Sequence, residues 1–247
     1  MNDVILPDFY YERLLTDGLP TTLQVLGIAF ALGIVLSLVL GVARLSDNLL
    51  ARGFSLVWIE FSRGISSIVL LFWMAFALPL LLGIDQPNLL LMGSLALGIN
   101  MGGYGGEIVR GAIQSVPRGQ TEASIALNLT EWQRLRYVVI PQAMRVILPP
   151  MGNLTIEILK GTALVSLIGL ADISFEGNKL RVSGRLNPDA PSDPILFLNI
   201  LLIYFVVSQI INGLFRLGES RLDARFERQR TTALPESTDA ATAGAGG

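Results

Sequence analysis

The sequence predicts an all-α fold, a polytopic membrane bundle of five transmembrane helices around one core, and three observations carry that prediction. Hydrophobic residues make up 51% of the 247-residue chain and charged residues only 15%. Mean hydropathy is +0.57, too apolar for an ordinary water-soluble domain. Apolar runs at residues 19–43, 50–82, 89–113, 151–170 and 195–215 are each long enough to cross hydrocarbon as a helix. Finally, the arginines gather in alternate breaks between these runs. The same composition excludes other classes. With no Cys and no His, disulfides, thiol chemistry, imidazole bases and the common zinc sites are ruled out. A net charge of −2 leaves no footprint for nucleic acid.

Residues 1–18 read as an external segment, with Asp3, Asp8, Glu12 and Asp17 against the single Arg13. They lack the basic start of a signal peptide, and the run that follows is too long for one. In the first span, 19–43, Gly27, Gly33 and Gly41 are placed to let neighbouring backbones approach. The second, 50–82, is longer than a bilayer needs. Its first half is amphipathic, with Glu60 and Arg63 three apart, and Gly64 with Ser66 and Ser67 marks a bend, leaving 68–82 as the spanning part. Residues 84–88 form an external turn.

In the third span Asn100, Tyr104, Glu107 and Gly111 share one helical face. Asn100 either bonds a neighbouring helix or lines a path; Glu107, beside Arg110 near the helix end, reads as structural or gating. The fourth span places Asn153, Glu157 and Lys160 on one face. A charge at mid-span costs about 2.5 to 3.5 kcal/mol on insertion scales, so these residues need a pore, a partner or each other. Residues 172–193 read as a polar loop, and 195–215 as the fifth span. After it come an arginine-rich cytoplasmic segment and a low-complexity tail, together 218–247, of which 231–247 is expected to be disordered.

The arginines assign the sides. Arg44, Arg52, Arg118, Arg134, Arg136, Arg145 and the C-terminal cluster fall on one side of a five-span chain, and Arg13, Lys179, Arg181 and Arg185 on the other. By the positive-inside rule the N-terminus is outside, and the C-terminus and residues 117–141 are cytoplasmic.

That cytoplasmic loop is the most informative stretch. A short helix over 120–127 stops at Asn128, which tolerates the left-handed conformation. Thr130 and Gln133 have the spacing of a capping box, so a second helix starts at Glu131, with Trp132, Leu135 and Val139 on one side, and ends against Pro141. An amphipathic hairpin lying on lipid headgroups would also fit this pattern. The run Glu122-Ala123-Ser124, three residues, Asn128, nine residues, then Val138-Val139-Ile140-Pro141 resembles the coupling loop of ABC-importer permeases, whose pattern is Glu-Ala-Ala, three residues, Gly, nine residues, Ile, any residue, Leu-Pro. Ser124, Asn128, Val138 and Ile140 depart from it mildly.

Across residues 18–217 the chain looks like the polar amino acid, histidine/glutamine-type branch. Glu107 to Gly111, Pro141-Gln142-Ala143, Pro149-Pro150, Gly152-Asn153 and Leu159-Lys160 carry the likeness. Arg63-Gly64-Ile65-Ser66 stands where that branch commonly has Arg-Gly-Thr-Pro, and Lys160-Gly161-Thr162-Ala163-Leu164 where it has Lys-Asp-Thr-Ser-Leu. Residues 120–122 and 157–167 look most like ectoine/hydroxyectoine permeases.

The resemblance implies a type I ABC importer permease fold in a bacterial inner membrane. It also implies a second permease subunit, the same or related, two ATP-binding subunits and an extracytoplasmic solute-binding protein. ATP would bind on the partner, since this chain has no phosphate loop. Gly119, Glu122, Ala123, Ser124, Leu127, Asn128 and Pro141 would form the ATPase-coupling element, with Glu122 and Asn128 setting its shape. Arg63, Asn100, Tyr104, Asn153, Glu157, Lys160 and Thr162 are the translocation-path candidates. Two other classes are a passive channel or secondary carrier, which would show internal repeats or a continuous polar pore, and an intramembrane enzyme built on Glu157 and Lys160.

Overall fold

The computed structural model describes residues 6–185 and 190–233, the last nine by backbone alone. Among them the chain forms helices and no strand: α1 (Asp8–Ala43), α2 (Leu49–Gly64), α3 (Ser67–Leu82), α4 (Leu89–Gln114), α5 (Arg118–Ala126), α6 (Glu131–Ile168), α7 (Ile173–Gly184) and α8 (Asp193–Ala233). Local chemistry sets many of the ends. Asn48 and Asn88 accept from the first-turn amides of α2 and α4, at 2.9 Å from Leu50 and 3.1 Å from Leu91. Gly83 and Gly169, at φ +68° and +88°, stop α3 and α6.

Helix α4 is the axis of the bundle, with α1, α2, α3 and α6 packed around it. Its closest partner is α1, and the seam between them is built from small residues. A Cβ on Gly33 would lie 2.6 Å from the Met101 sulfur, and one on Gly41 would lie 2.6 Å from the Val109 Cβ and 2.8 Å from the Gly106 carbonyl. These glycines therefore set how near the two backbones come. Gly27 does not serve this purpose, because a Cβ there would have nothing within 4 Å.

Helices α1, α6 and α8 are long and apolar enough to cross a membrane, and α2 with α3 make a fourth span if taken together across their 102° bend. The 26 residues of α4 would reach about 39 Å. Its glycines, Asn100, Glu107 and Arg110 dilute its apolar character without shortening it.

Several elements differ from the sequence expectation. Residues 8–18 are not separate from the first span but the first turns of α1, and Leu6 and Leu14 are buried with Ile173, Leu180, Leu196 and Ile200. The expected polar loop after residue 172 holds α7, a helix whose start is signalled by an Asp cap and an acidic first turn rather than by an apolar run. Helix α8 continues past Phe215 to Ala233, so 231–233, expected to be disordered, are helical; 234–247 lie outside the described residues.

The largest correction concerns proline. The second loop helix does not end at Pro141. Ile140 is helical at φ −59°, ψ −46°, and α6 runs on through Pro141, Pro149 and Pro150. A proline lacks an N–H and its ring clashes with the carbonyl four residues back. Here the turn before Pro141 is a π turn in which the Ile140 N–H donates to the Leu135 carbonyl five back, widening the helix where the clash would fall. The same device precedes Pro20, with Leu19 donating to Leu14, and Pro79, with Leu78 donating to Trp73.

The start of α7 is tied to two spans. Asp172 is fully buried. One carboxylate oxygen accepts from the Phe175 N–H at 2.9 Å and the other from the Tyr204 hydroxyl of α8 at 3.2 Å. The Ile173 N–H donates to Thr22 of α1 at 3.2 Å. Burial pushes the Asp172 carboxyl above its ordinary range, against the pull of these hydrogen bonds.

Two outcomes follow. Gly41→Ala should destabilise the protein by about 1 to 3 kcal/mol through overpacking, whereas Gly111→Ala, where a Cβ meets nothing within 4 Å, should be neutral or slightly stabilising. Thermal unfolding in detergent compares the two. For Asp172, a carboxyl whose pKa is raised on folding holds its proton more tightly folded than unfolded, so its contribution to stability falls as pH rises above the ordinary carboxylate range of about 4. Asp172→Asn keeps a capping oxygen without the charge, so its melting temperature should gain on the native protein as pH rises. A pH-independent difference would contradict this.

Candidate functional site

Two regions hold the candidate residues, and α6 joins them. The first is the loop from α5 into α6. Its hinge is a complete Schellman closure: the Asn128 N–H donates to Ile125 at 2.8 Å and the Leu129 N–H to Ser124 at 3.1 Å. Asn128 sits at φ +57°, alone among the described non-glycine residues in having a positive φ. Two residues on, Thr130 and Gln133 bond reciprocally, at 2.9 and 3.3 Å, as the capping box requires. Gln142 then reaches back to Gln120 at 3.2 Å and clasps α5 to α6. The loop stands off from the ends of α1 and α4 across a cleft of about 540 Å³ that includes Asp47, Ile113 and Arg134.

The side chains of this loop divide in two. Gly119, Glu122, Ala123 and Leu127 are exposed, Leu127 at 75%, and Pro141 is half-buried within α6. Ser124, expected beside Ala123 and Leu127, instead points inward at 2% exposure and donates to the Thr121 carbonyl at 2.6 Å. Trp132 and Val139, expected on one side, part company: Val139 is buried and Trp132 is 64% exposed. The π turn at Leu135–Val139 changes the phase of the helix downstream, which a regular 3.6-residue reading does not anticipate. Ile125 and Tyr137 are also exposed, so the outer surface of the loop is apolar and aromatic.

The second region lies further along α6. Asn153, Glu157 and Lys160 form one exposed stripe, and no ion pair joins Glu157 to Lys160 among the described residues. The stripe is level with the break between α2 and α3. Met151 packs on Gly105 and Gly161 on Leu97, while Ser62, at the end of α2, lies against Gly103. All three contacts fall within the same few turns of α4.

The break leaves the last carbonyls of α2 without intrahelical donors, and α4 supplies them. The Asn100 amide donates to the Ser62 carbonyl at 3.1 Å, and the Tyr104 hydroxyl to the Arg63 carbonyl at 3.4 Å. Asn100 thus bonds a neighbouring helix, one of its two expected roles. Arg63 is exposed, with its guanidinium 5.8 Å from the Tyr104 ring and 3.8 Å from Glu60. Thr162 is fully buried and donates to the Leu159 carbonyl at 2.6 Å. Glu107 pairs with Arg110 at 2.7 Å. Of the path candidates, Arg63, Asn153, Glu157 and Lys160 face outward from this chain, whereas Asn100, Tyr104 and Thr162 are used within it. Sequence reading found the stripe and the bend but not the bonds that make the bend possible, because no local pattern links Asn100 to a carbonyl 38 residues earlier.

The family described as "binding-protein-dependent transport system inner membrane component" matches residues 33–224. Among curated proteins, the chain is 41% identical over 207 residues to a probable amino-acid ABC transporter permease protein, y4tF, of Sinorhizobium fredii, covering 82% of this chain and 84% of that one. It is 31% identical over 209 residues to the glutamine transport system permease protein GlnP of Escherichia coli, covering 85% and 93%. A solved structure described as an amino acid ABC transporter with histidines superposes with a TM-score of 0.75 at 31% identity, over 86% of this chain and 95% of that one. An inward-facing MetNI methionine ABC transporter chain shares the fold, with a TM-score of 0.62 at 18% identity. With a family match over most of its length, the chain belongs to the inner-membrane permease components of ABC importers, whose ATPase is a separate subunit.

Proposed function

We propose that this permease crosses the membrane five times, with α4 as the span that composition alone understates, and that its N-terminus is external and its C-terminus cytoplasmic. It pairs with a second permease, the same or a related chain, and with two ATPase subunits and an external solute-binding protein. The loop at residues 118–141 docks on an ATPase through Ala123, Ile125, Leu127 and Trp132, and ATP-driven closure of the ATPases switches the path between its two openings. The observation that carries this reading is the continuity of α6. One helix runs from the docking loop at Glu131 to Lys160, about 44 Å, without a break. A displacement at the loop is therefore delivered to the polar stripe.

The cargo that suits this stripe is a small zwitterion with a carboxylate and a cationic group, able to meet Lys160 or Arg63 and Glu157. The names of the relatives favour a polar amino acid. The likeness of residues 120–122 and 157–167 to ectoine permeases, with Gly161 in place of Asp, supports an ectoine-type solute as the second reading. Competition for uptake in vesicles holding the whole complex, between glutamine, arginine and ectoine, separates the two. ATP-independent uptake by the permease alone would favour a passive carrier and reject the proposal.

Asn128→Gly should leave coupling unchanged, since Gly adopts positive φ freely. Asn128→Val, which costs about 1 to 2 kcal/mol in the left-handed region, should lower uptake while ATP hydrolysis persists; equal effects of the two variants would remove the hinge from the mechanism. A cysteine at Leu127 should crosslink to the ATPase in membranes, in a background that has no other cysteine. Glu157→Gln and Lys160→Met should each raise the KM for uptake at least tenfold while leaving that crosslink intact. An unchanged KM in both would take the stripe off the path.

A further inference from the structure

On the side of α6 away from the polar stripe, α1, α6 and α8 enclose a groove of about 590 Å³. Its walls include Leu26, Phe30, Ile34, Ile147, Ile211 and Leu214, and its one polar side chain, Thr155, is bonded internally to the Met151 carbonyl at 2.8 Å. Along α1 the groove extends from Leu23 to Leu38, about 22 Å at helical rise. That exceeds the depth of one leaflet, half of the roughly 30 Å hydrocarbon core, so an acyl chain from one leaflet has room to lie along it. It lies between three helices that are apolar enough to span, and nothing in it asks for a hydrogen bond.

One end of the groove carries charge. Gly218 lines it, and Arg221 follows one turn later on the same side of α8. Arg216 and Arg221 are exposed. Arg145, next to the groove-lining Met144, pairs with Asp223 at 3.4 Å and so ties α6 to α8 at this end. Residues 216–230 contain five arginines against three carboxylates, Glu219, Asp223 and Glu227. A basic cluster of this kind at a membrane surface attracts anionic headgroups.

We propose that this groove holds one acyl chain of an anionic phospholipid from the leaflet that meets the arginine-rich end, with its headgroup at Arg221. The lipid fills the space between α6 and α8 that side chains leave open, and so supports the helix that carries the loop. Gly27 gives a direct test, because it lines the groove and a Cβ added there meets nothing within 4 Å. The permease, extracted with its partner subunits in mild detergent, is analysed for bound lipid by native mass spectrometry after exchange into mixed phosphatidylglycerol and phosphatidylethanolamine vesicles.

The expected result is retained phosphatidylglycerol, lost several-fold in Gly27→Leu, with Arg221→Gln shifting the retained lipid toward phosphatidylethanolamine. Ile211→Trp, which fills the groove from α8, should repeat the loss if Gly27→Leu does not fold. Equal retention of both lipids by the native protein, or retention unaffected by filling the groove, overturns the proposal. So does a permease-to-permease disulfide from Gly27→Cys in native membranes, which would assign the groove to a second copy of the chain.

Discussion

The structure rests on one requirement: buried backbone polar groups must find partners inside the protein. The chain breaks that rule locally between α2 and α3, where the axis turns by 102°. It then satisfies the rule from elsewhere. Phe61 keeps an internal donor in Ile65 at 3.1 Å, and the next two carbonyls take theirs from Asn100 and Tyr104. The bond to the Ser62 carbonyl is buried, and an unpaired buried acceptor costs about 1 to 3 kcal/mol, so α4 must lie close and in register there for the bend to exist. The small-residue seam with α1 holds α4 in that position. The break thus depends on the seam, and the exposed position of Arg63 depends on the break.

Much of this was legible in the residues. The runs of apolar sequence, the bend at Gly64 to Ser67, the Asn128 hinge and the Thr130–Gln133 box all follow from local chemistry, and all are present. These features are encoded within a turn or two of where they appear. The misses share the opposite property. Helix α7 depends on burying Ile173 and Leu180 against Leu14 and Leu196, contacts that no local window contains. The inward turn of Ser124 accompanies the packing of α5 against the start of α6, which no local window contains. Asn100 was legible as a polar residue needing a partner, but the partner was not.

Proline was misread for a more specific reason. Local reasoning treats Pro141 as a stop because it assumes an α-helical turn ahead of it. The chain instead places a π turn before each of Pro20, Pro79 and Pro141, and so carries the helix past all three, where an interruption was expected only at Pro141. The consequence is mechanical. Had α6 stopped at Pro141, the loop would be linked to the span by a flexible joint. With the π turn it is joined to the stripe by one helix.

The same continuity limits where flexibility can reside. On the far side of the loop, α5 meets α4 through the short connection around Pro117, and α5 is held to α6 by the Gln120–Gln142 bond and the closed Asn128 hinge. The loop is therefore tied to α6 more closely than to α4, whose approach to α1 is set by the glycine contacts between them. On the reading proposed above, a push at Leu127 would be carried along α6, whose exposed face holds Asn153, Glu157 and Lys160, level with a break whose Ser62 carbonyl is bonded to Asn100 of α4.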